Sequence, residues 1–226
     1  MTLRNACFVA LIVGLMSSSL PSAQAPNTAI LLDPANPEMK RQAPEAFNVL
    51  LDTSKGPIRI EIQREWSPHG VDRFYNLVRH GYYDGAKVFR IRAGFWAQFG
   101  IAADPRISTI WRTQNLPDEP RKLSNIRGTI AYAFRDPNGR TTQVFINLRD
   151  NSATHDGEPF VPFGRVTSGM EVADAWYAEY GEKAGGGIRG GRQDKLFEEG
   201  NAYLDREFPL LDFIKRAFIK GAAIVR

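Results

Sequence analysis

The chain has 226 residues, a formal net charge of +4, 24% charged residues and a single cysteine. That length suits one well-buried domain and is short for two, and the composition is globular rather than disordered or fibrous. The basic residues are dispersed, and the densest group, Arg121 and Lys122 with Arg127, is broken by Leu123, Ser124 and Asn125, which argues against a nucleic-acid partner.

Arg4 precedes an almost wholly apolar run, Ala6 to Met16, followed by Ser17 to Ser19, Pro21 and Ala23-Gln24-Ala25. This is the order of a signal peptide over residues 1–25, cleaved after Ala25. An uncleaved anchor is the competing reading, but the apolar run is short for a bilayer span, so no stable membrane span is expected after cleavage. A lipoprotein anchor needs a cysteine at the cleavage point, and the sole cysteine, Cys7, lies inside the run. The expectation is an exported protein, periplasmic in a Gram-negative cell and otherwise secreted or in the secretory lumen. The mature chain then has no disulfide, no thiol nucleophile and no Cys-rich metal site.

Residues 26–46, rich in Pro, Ala, Asn and Gln, read as a flexible leader, and the folded domain is expected over 47–220. No internal repeat is visible. Phe47 to Leu51 and Pro57 to Ile62 read as strands of a hairpin across Ser54-Lys55-Gly56, with Ile58, Ile60 and Ile62 alternating with polar neighbours. Ser67-Pro68 opens a helix with an apolar stripe of Val71, Phe74, Tyr75, Leu77 and Val78, ended by Gly81. Further strands are expected at 87–92, 95–99, 128–134, 143–148, 162–166 and 213–219. Helices are expected at Gly169 to Tyr180, with Val172, Ala175 and Trp176 inward, and at 198–208. Gly185 to Gly191 reads as a flexible loop, because Arg192-Gln193-Asp194 follows it rather than the Lys-Ser or Lys-Thr of a phosphate-binding loop. Many strands with two or three helices suggest an antiparallel barrel with helices over its openings.

Alternation places unexpected aromatics among polar neighbours. In Gln143 to Leu148, Val144, Ile146 and Leu148 take the core face, which leaves Phe145 outward beside Gln143 and Asn147. Trp96 shares a face with Gln98. Arg90 points out with Arg92, while Phe89 and Ile91 point in. Thr129, Ala131 and Ala133 leave a face of small side chains. If these strands are neighbours, they form an apolar patch edged by Arg and Gln donors, suited to an extended apolar peptide. A single outward aromatic would be ordinary packing under a loop. Several, with an arginine and two glutamines, point to a site.

Those residues resemble a family. Val88 to Gly100 is similar to the cyclophilin signature Phe-His-Arg-Ile-Ile-Pro-Gly-Phe-Met-x-Gln-Gly-Gly, with Arg90, Phe95 and Gln98 at matching spacing. Gly128 to Ala133 resembles Gly-x-Leu-Ser-Met-Ala, Gln143 to Ile146 resembles Gln-Phe-Phe-Ile, and Phe163-Gly164-Arg165-Val166 with Gly169-Met170 resembles Phe-Gly-Lys-Val then Gly-Met. The resemblance runs from about 47 to 182 with a final strand near 213–219. It implies a mainly β fold, an eight-stranded closed antiparallel barrel capped by two helices. It also implies peptidyl-prolyl cis-trans isomerase activity without cofactor or metal, with proline-containing segments of client proteins as partners, and the chain is expected to be a monomer. By position, the resemblance makes Arg90 the group at the isomerising prolyl amide, with Gln98 beside it. Phe95, Trp96 and Phe145 become the proline pocket, Gln98 and Gln143 the binders of substrate backbone, and Ala133 a groove residue. Phe160 stands at a substrate-binding position where the family often has His. Phe134 replaces a frequent Asn, Arg92-Ala93 replaces Ile-Pro, and the family's pocket Trp and Leu fall somewhere in Ser152 to Asp156.

Other chemistries have little support. A Ser152/His155/Asp156 triad would crowd its members into one turn. His69 and His80 read as surface residues, and Asp118 and Glu119 as solvated carboxylates. The serious rival is a non-catalytic proline-peptide binding module or chaperone on the same fold.

Overall fold

Side chains of a strand point alternately to its two faces, and in β1 (Ala46–Thr53) and β2 (Gly56–Gln63) the apolar ones share a face. Their antiparallel register pairs Phe47 with Ile62, Val49 with Ile60 and Leu51 with Ile58, and each of these side chains is fully buried. The computed structural model describes residues 26–186 and 192–220. The expected signal segment, 1–25, and the glycines at 187, 190 and 191 lie outside the described residues.

The helix after the hairpin, Pro68–Arg79, buries Val71, Phe74, Leu77 and Val78, and its next turn ends at Gly81 with a positive φ of 76°. It follows a one-turn helix α1 (Thr28–Leu31) in the chain and is called α2. The remaining elements are β3 (Arg90–Arg92), β4 (Trp96–Phe99), α3 (Pro105–Trp111), β5 (Thr129–Tyr132), β6 (Val144–Asn147), α4 (Ser152–His155), β7 (Pro162–Ser168), α5 (Met170–Asp174), α6 (Asp194–Glu199), α7 (Asn201–Glu207) and β8 (Ile214–Lys220). Eight strands, all paired antiparallel, form one curled sheet in the order β3-β4-β6-β5-β7-β2-β1-β8. Its edge strands approach each other just upstream of β3 and β8. There Lys87 and Phe213 form an isolated antiparallel bridge, the Val88 amide donates to Asp212 O at 2.8 Å and the Ile214 amide to Ala86 O at 2.9 Å. The inner face of the sheet, α2 and Ala173 of α5 share one apolar core. No described helix is long and apolar enough to cross a membrane.

Several expectations need correction. Residues 26–46 are not loose: Leu31, Met39 and Ala43 are buried in the main core, and the Trp111 indole N–H donates to Leu31 O at 2.7 Å. The helix expected over 169–180 stops at Asp174, and its Ala175 is exposed while Ala173 is the buried alanine. The helix expected over 198–208 is two, α6 and α7, broken at Gly200, where φ is 58°. Phe89 is buried, but with Ile101, Ala184, Leu196, Phe197, Leu204 and Leu211 in a second apolar cluster rather than in the main core. His80 is buried rather than at the surface.

Glu119 is likewise no solvated carboxylate. It accepts from the Ser67 hydroxyl, from the His69 amide at 2.8 Å and from the Gly70 amide at 3.2 Å, and so satisfies the first turn of α2 from outside the helix. The fully buried Arg140 pairs with it at 3.0 Å.

Candidate active site

Register brings the outward residues together. Arg90 of β3 pairs with Gln98 of β4, Gln98 with Phe145 of β6, and Phe145 with Ala131 of β5. Paired residues project to the same face, so these four form one row across four strands. The next row toward the core side of each strand, Ile91, Ala97, Ile146 and Ile130, lies in the main apolar core.

Arg90 is held on several sides. One Nη1–H donates to Gln98 Oε1 at 3.1 Å, Nη2 lies 3.3 Å from Glu182 Oε1, and the guanidinium carbon stands 4.6 Å from the centre of the Trp96 ring. Only 12% of its side chain is exposed. Burial pushes its pKa below the ordinary arginine value, and the Glu182 carboxylate pulls the other way. An arginine tolerates that opposition and stays cationic. Gly185 packs on the side-chain stem, where an added Cβ would meet Arg90 Cβ at 2.8 Å.

From Arg90 the polar contacts continue along the groove. Gln98 Nε2 donates to Gln143 Oε1 at 2.7 Å, Gln143 Nε2 to Gln193 Oε1 at 2.9 Å, and Gln193 Nε2 to Gly185 O at 3.3 Å. Ala133, half-buried at the end of β5, donates its amide to Gln143 O at 2.9 Å.

The apolar part is an aromatic cluster. Phe145 meets the Phe160 ring edge-on at 5.3 Å and the His155 ring at 5.7 Å. His155 and Phe160 lie 4.7 Å apart with ring planes 30° from parallel, and Phe134 touches Phe160 at 4.6 Å. Phe145 is therefore only 3% exposed, and the open patch expected on this face is roofed by loop residues. The His155 pKa is lowered, first by burial and then by Arg92, with Asp156 opposing.

Of the residues singled out by sequence, Arg90, Trp96, Gln98, Gln143, Phe145, Ala133 and Phe160 are joined through these contacts. Phe95 differs. Among the described residues its ring has no aromatic contact with Phe145 or Phe160, and it lies under the guanidiniums of Arg92 at 4.1 Å and Arg149 at 4.4 Å. Glu182 and Gln193 were not foreseen as parts of the site, and His155 was covered only by the stretch Ser152 to Asp156 in which the resemblance puts two pocket residues. All three come from loops or loop edges, where no periodicity reports which way a side chain faces. The Ser152/His155/Asp156 triad does not form: His155 Nδ1 is bonded to Thr154 Oγ1 at 2.8 Å, and Asp156 is engaged by Ser124 and Asn125. Among the described residues no group of three His, Cys, Asp or Glu could hold a metal ion. Two surface hollows, one lined by Asn27, His80 and Arg216 and one by Met39, His69 and Asp72, share no residue with this site.

The family model described as "Cyclophilin type peptidyl-prolyl cis-trans isomerase/CLD" matches residues 48–185. A curated relative from Streptomyces antibioticus, a peptidyl-prolyl cis-trans isomerase, is 38% identical over 136 residues, spanning 56% of this chain and 81% of the relative. Peptidyl-prolyl cis-trans isomerase A of Dickeya dadantii is 32% identical over 136 residues, spanning 58% and 72%. Among solved structures, a cyclophilin type peptidyl-prolyl cis-trans isomerase of Cryptosporidium parvum superposes with a TM-score of 0.55 at 22% identity, covering 78% of this chain and 98% of that one. At that identity the likeness concerns the fold. The same protein has been solved in the presence of the dipeptide Ala-Pro, with a TM-score of 0.54 to this chain.

Proposed function

Because this chain belongs to the cyclophilin-type peptidyl-prolyl cis-trans isomerase family, we propose that Arg90 stabilises the twisted prolyl amide of a bound peptide while the rings around Phe145 hold the pyrrolidine. The single observation that carries this reading is the cross-strand row of Arg90, Gln98 and Phe145, a cation beside amide donors and acceptors beside an aromatic cluster.

The reaction makes and breaks no covalent bond. Cis and trans X-Pro forms differ by about 0.5–1 kcal/mol, and the barrier of about 18–20 kcal/mol comes from losing amide resonance. A catalyst must therefore favour the twisted amide over both planar forms. When the amide twists, the prolyl nitrogen regains a lone pair, and a fixed guanidinium N–H can donate to it. Arg90 suits this role because Gln98, Glu182 and the Trp96 face already fix its plane. Gln98 and Gln143 offer side-chain amides for the peptide backbone, and Ala133 leaves space along the groove. Phe95, beneath two guanidiniums, serves at the margin of the pocket. The architecture behind these roles is read as a barrel closed by the Lys87–Phe213 bridge, with α2 and α5 over its openings.

The substrates in this reading are proline-containing segments of exported proteins during folding, met by a monomer outside the cytoplasm. Support for export is the order of residues 1–25, and a mature chain whose measured mass begins at Pro26 is the expected outcome. A chain that retains residues 1–25 contradicts export by cleavage.

The second reading, a proline-peptide binding module without turnover, is favoured by the roofing of Phe145 and the pairing of Arg90 with Glu182. Turnover separates the two. Catalytic amounts of the protein are expected to speed cis-to-trans conversion of an Ala-Ala-Pro-Phe tetrapeptide, and binding without acceleration would favour the module.

A further inference from the structure

We infer that Gln193 is an internal occupant of the substrate-backbone position at Gln143, so that a proline peptide binds by displacing it. This rests on the reading of Gln143 as a binder of peptide backbone. The side chain of Gln193 ends in a primary amide, the same donor-acceptor unit as a peptide bond. It accepts from Gln143 Nε2 at 2.9 Å and presents its own Nε2 to Gln143 Oε1 at 3.4 Å. Both hydrogen-bonding atoms of the Gln143 amide thus meet Gln193, as they would meet a peptide unit, with Oε1 also accepting from Gln98 Nε2 at 2.7 Å.

The same segment holds the neighbouring groups. Gly185 O accepts from Gln193 Nε2 at 3.3 Å, the Gly185 backbone packs on the stem of Arg90, and Glu182 takes Arg90 Nη2 at 3.3 Å. The polar half of the site is therefore satisfied from within the chain. Gln193 lies beyond residues 48–185, so the family match does not supply it. Gln143 and Gln193 are each half-buried, so water can take over their bonds when the pair opens. A ligand that must wait for an occupied site to open has its affinity reduced by the fraction of time the site is open. The net worth of a hydrogen bond between neutral amides corresponds to a factor of about 3–10 in that fraction.

The test compares the full exported chain with its Gln193→Ala variant, using the tetrapeptide Ala-Ala-Pro-Phe as the probe. Calorimetric titration gives its Kd and an isomerisation assay gives KM and kcat. Removing the internal occupant is expected to tighten Kd by about 3–10-fold, with KM falling in parallel and kcat not lowered. A residue that merely props Gln143 in place would move both constants the other way. A folded Gln193→Ala variant that binds the peptide no more tightly than the natural sequence, binding by neither included, overturns the inference. If both bind and neither isomerises the peptide, the isomerase mechanism falls while the change in Kd still decides the role of Gln193.

Discussion

Burial makes a charged group costly, and Arg90 and His155 meet that cost differently. Arg90 keeps its charge because Gln98, Glu182 and the Trp96 face replace part of its hydration. His155, set among Phe145 and Phe160 with Arg92 near it, is pushed toward the neutral form. The folded chain therefore binds the His155 proton less readily than the unfolded chain, whose histidine has the ordinary value of 6.5. Above that value both states are neutral and the linkage is silent. As the pH falls through it, the unfolded chain takes up the proton first, and stability declines until the folded histidine also protonates. Asp156, which opposes the shift, is itself tied to Ser124, Asn125 and Arg121. His80 shares the direction, chiefly through burial. The expected outcome is a thermal midpoint that falls between about pH 7 and about pH 5, with a shallower fall in His155→Leu. Equal slopes in the two proteins would show that His155 is not the group responsible.

At the scale of elements, α2 depends on a residue far from it in sequence. Glu119 answers the open amides of its first turn and pairs with Arg140, which has no exposed side-chain surface. Burial alone would raise the Glu119 pKa, but bonds from Ser67, His69 and Arg140 outweigh it and the net direction is down. Glu119→Ala removes both the cap and the nearer countercharge and leaves the buried cation only Asp118, whose carboxylate lies 3.8 Å from Arg140 Nε. Urea unfolding is expected to show a loss of roughly 3–5 kcal/mol. A loss below about 1 kcal/mol would mean that Arg140 finds solvent or another partner. This pairing was not legible in the sequence, because Glu119 stands in a polar, Pro-containing stretch that looks like any solvated loop. The β1–β2 hairpin was legible, since Ile58, Ile60 and Ile62 alternate cleanly, and so was the outward face of Phe145. Helix α3 was not, because Pro105 to Trp111 offers only one two-turn stretch with three apolar residues, Ile107, Ile110 and Trp111. The overextended helix after Gly169 has a related cause: Val172 and Trp176 keep helical spacing across a chain that leaves the helix at Asp174. For the site, strand periodicity indicated Arg90, Gln98, Gln143 and Phe145. It was silent on His155, Glu182 and Gln193, whose positions follow from loop paths.

Over the whole molecule, segments at both ends of the described chain complete a sheet that would otherwise leave apolar surface open. Leu31 and Met39 enter the main core, and Asn76 Nδ2 donates to Arg41 O at 2.7 Å. Deleting residues 26–44 is therefore expected to cost at least about 3 kcal/mol in urea unfolding, from the burial of Leu31 and Met39 alone. A deletion that costs less than about 1 kcal/mol would mean the segment only rests on the surface. At the other end, Ala184, Leu196, Phe197, Leu204 and Leu211 build the second core over Phe89, immediately before Arg90. That core holds Ala184 and Leu196, close in sequence to Glu182 and Gln193, whose side chains reach Arg90 and Gln143, so the chain beyond α5 is linked to the candidate site as well as to the apolar interior.

The role of the guanidinium at position 90 is open to direct measurement by magnetisation-exchange NMR on a proline tetrapeptide with the natural protein and with Arg90→Ala, both shown folded by circular dichroism. Cis-trans exchange is expected to be accelerated by the natural protein and to fall by more than about tenfold in the variant. A folded Arg90→Ala protein that exchanges the peptide at the natural rate would contradict the mechanism.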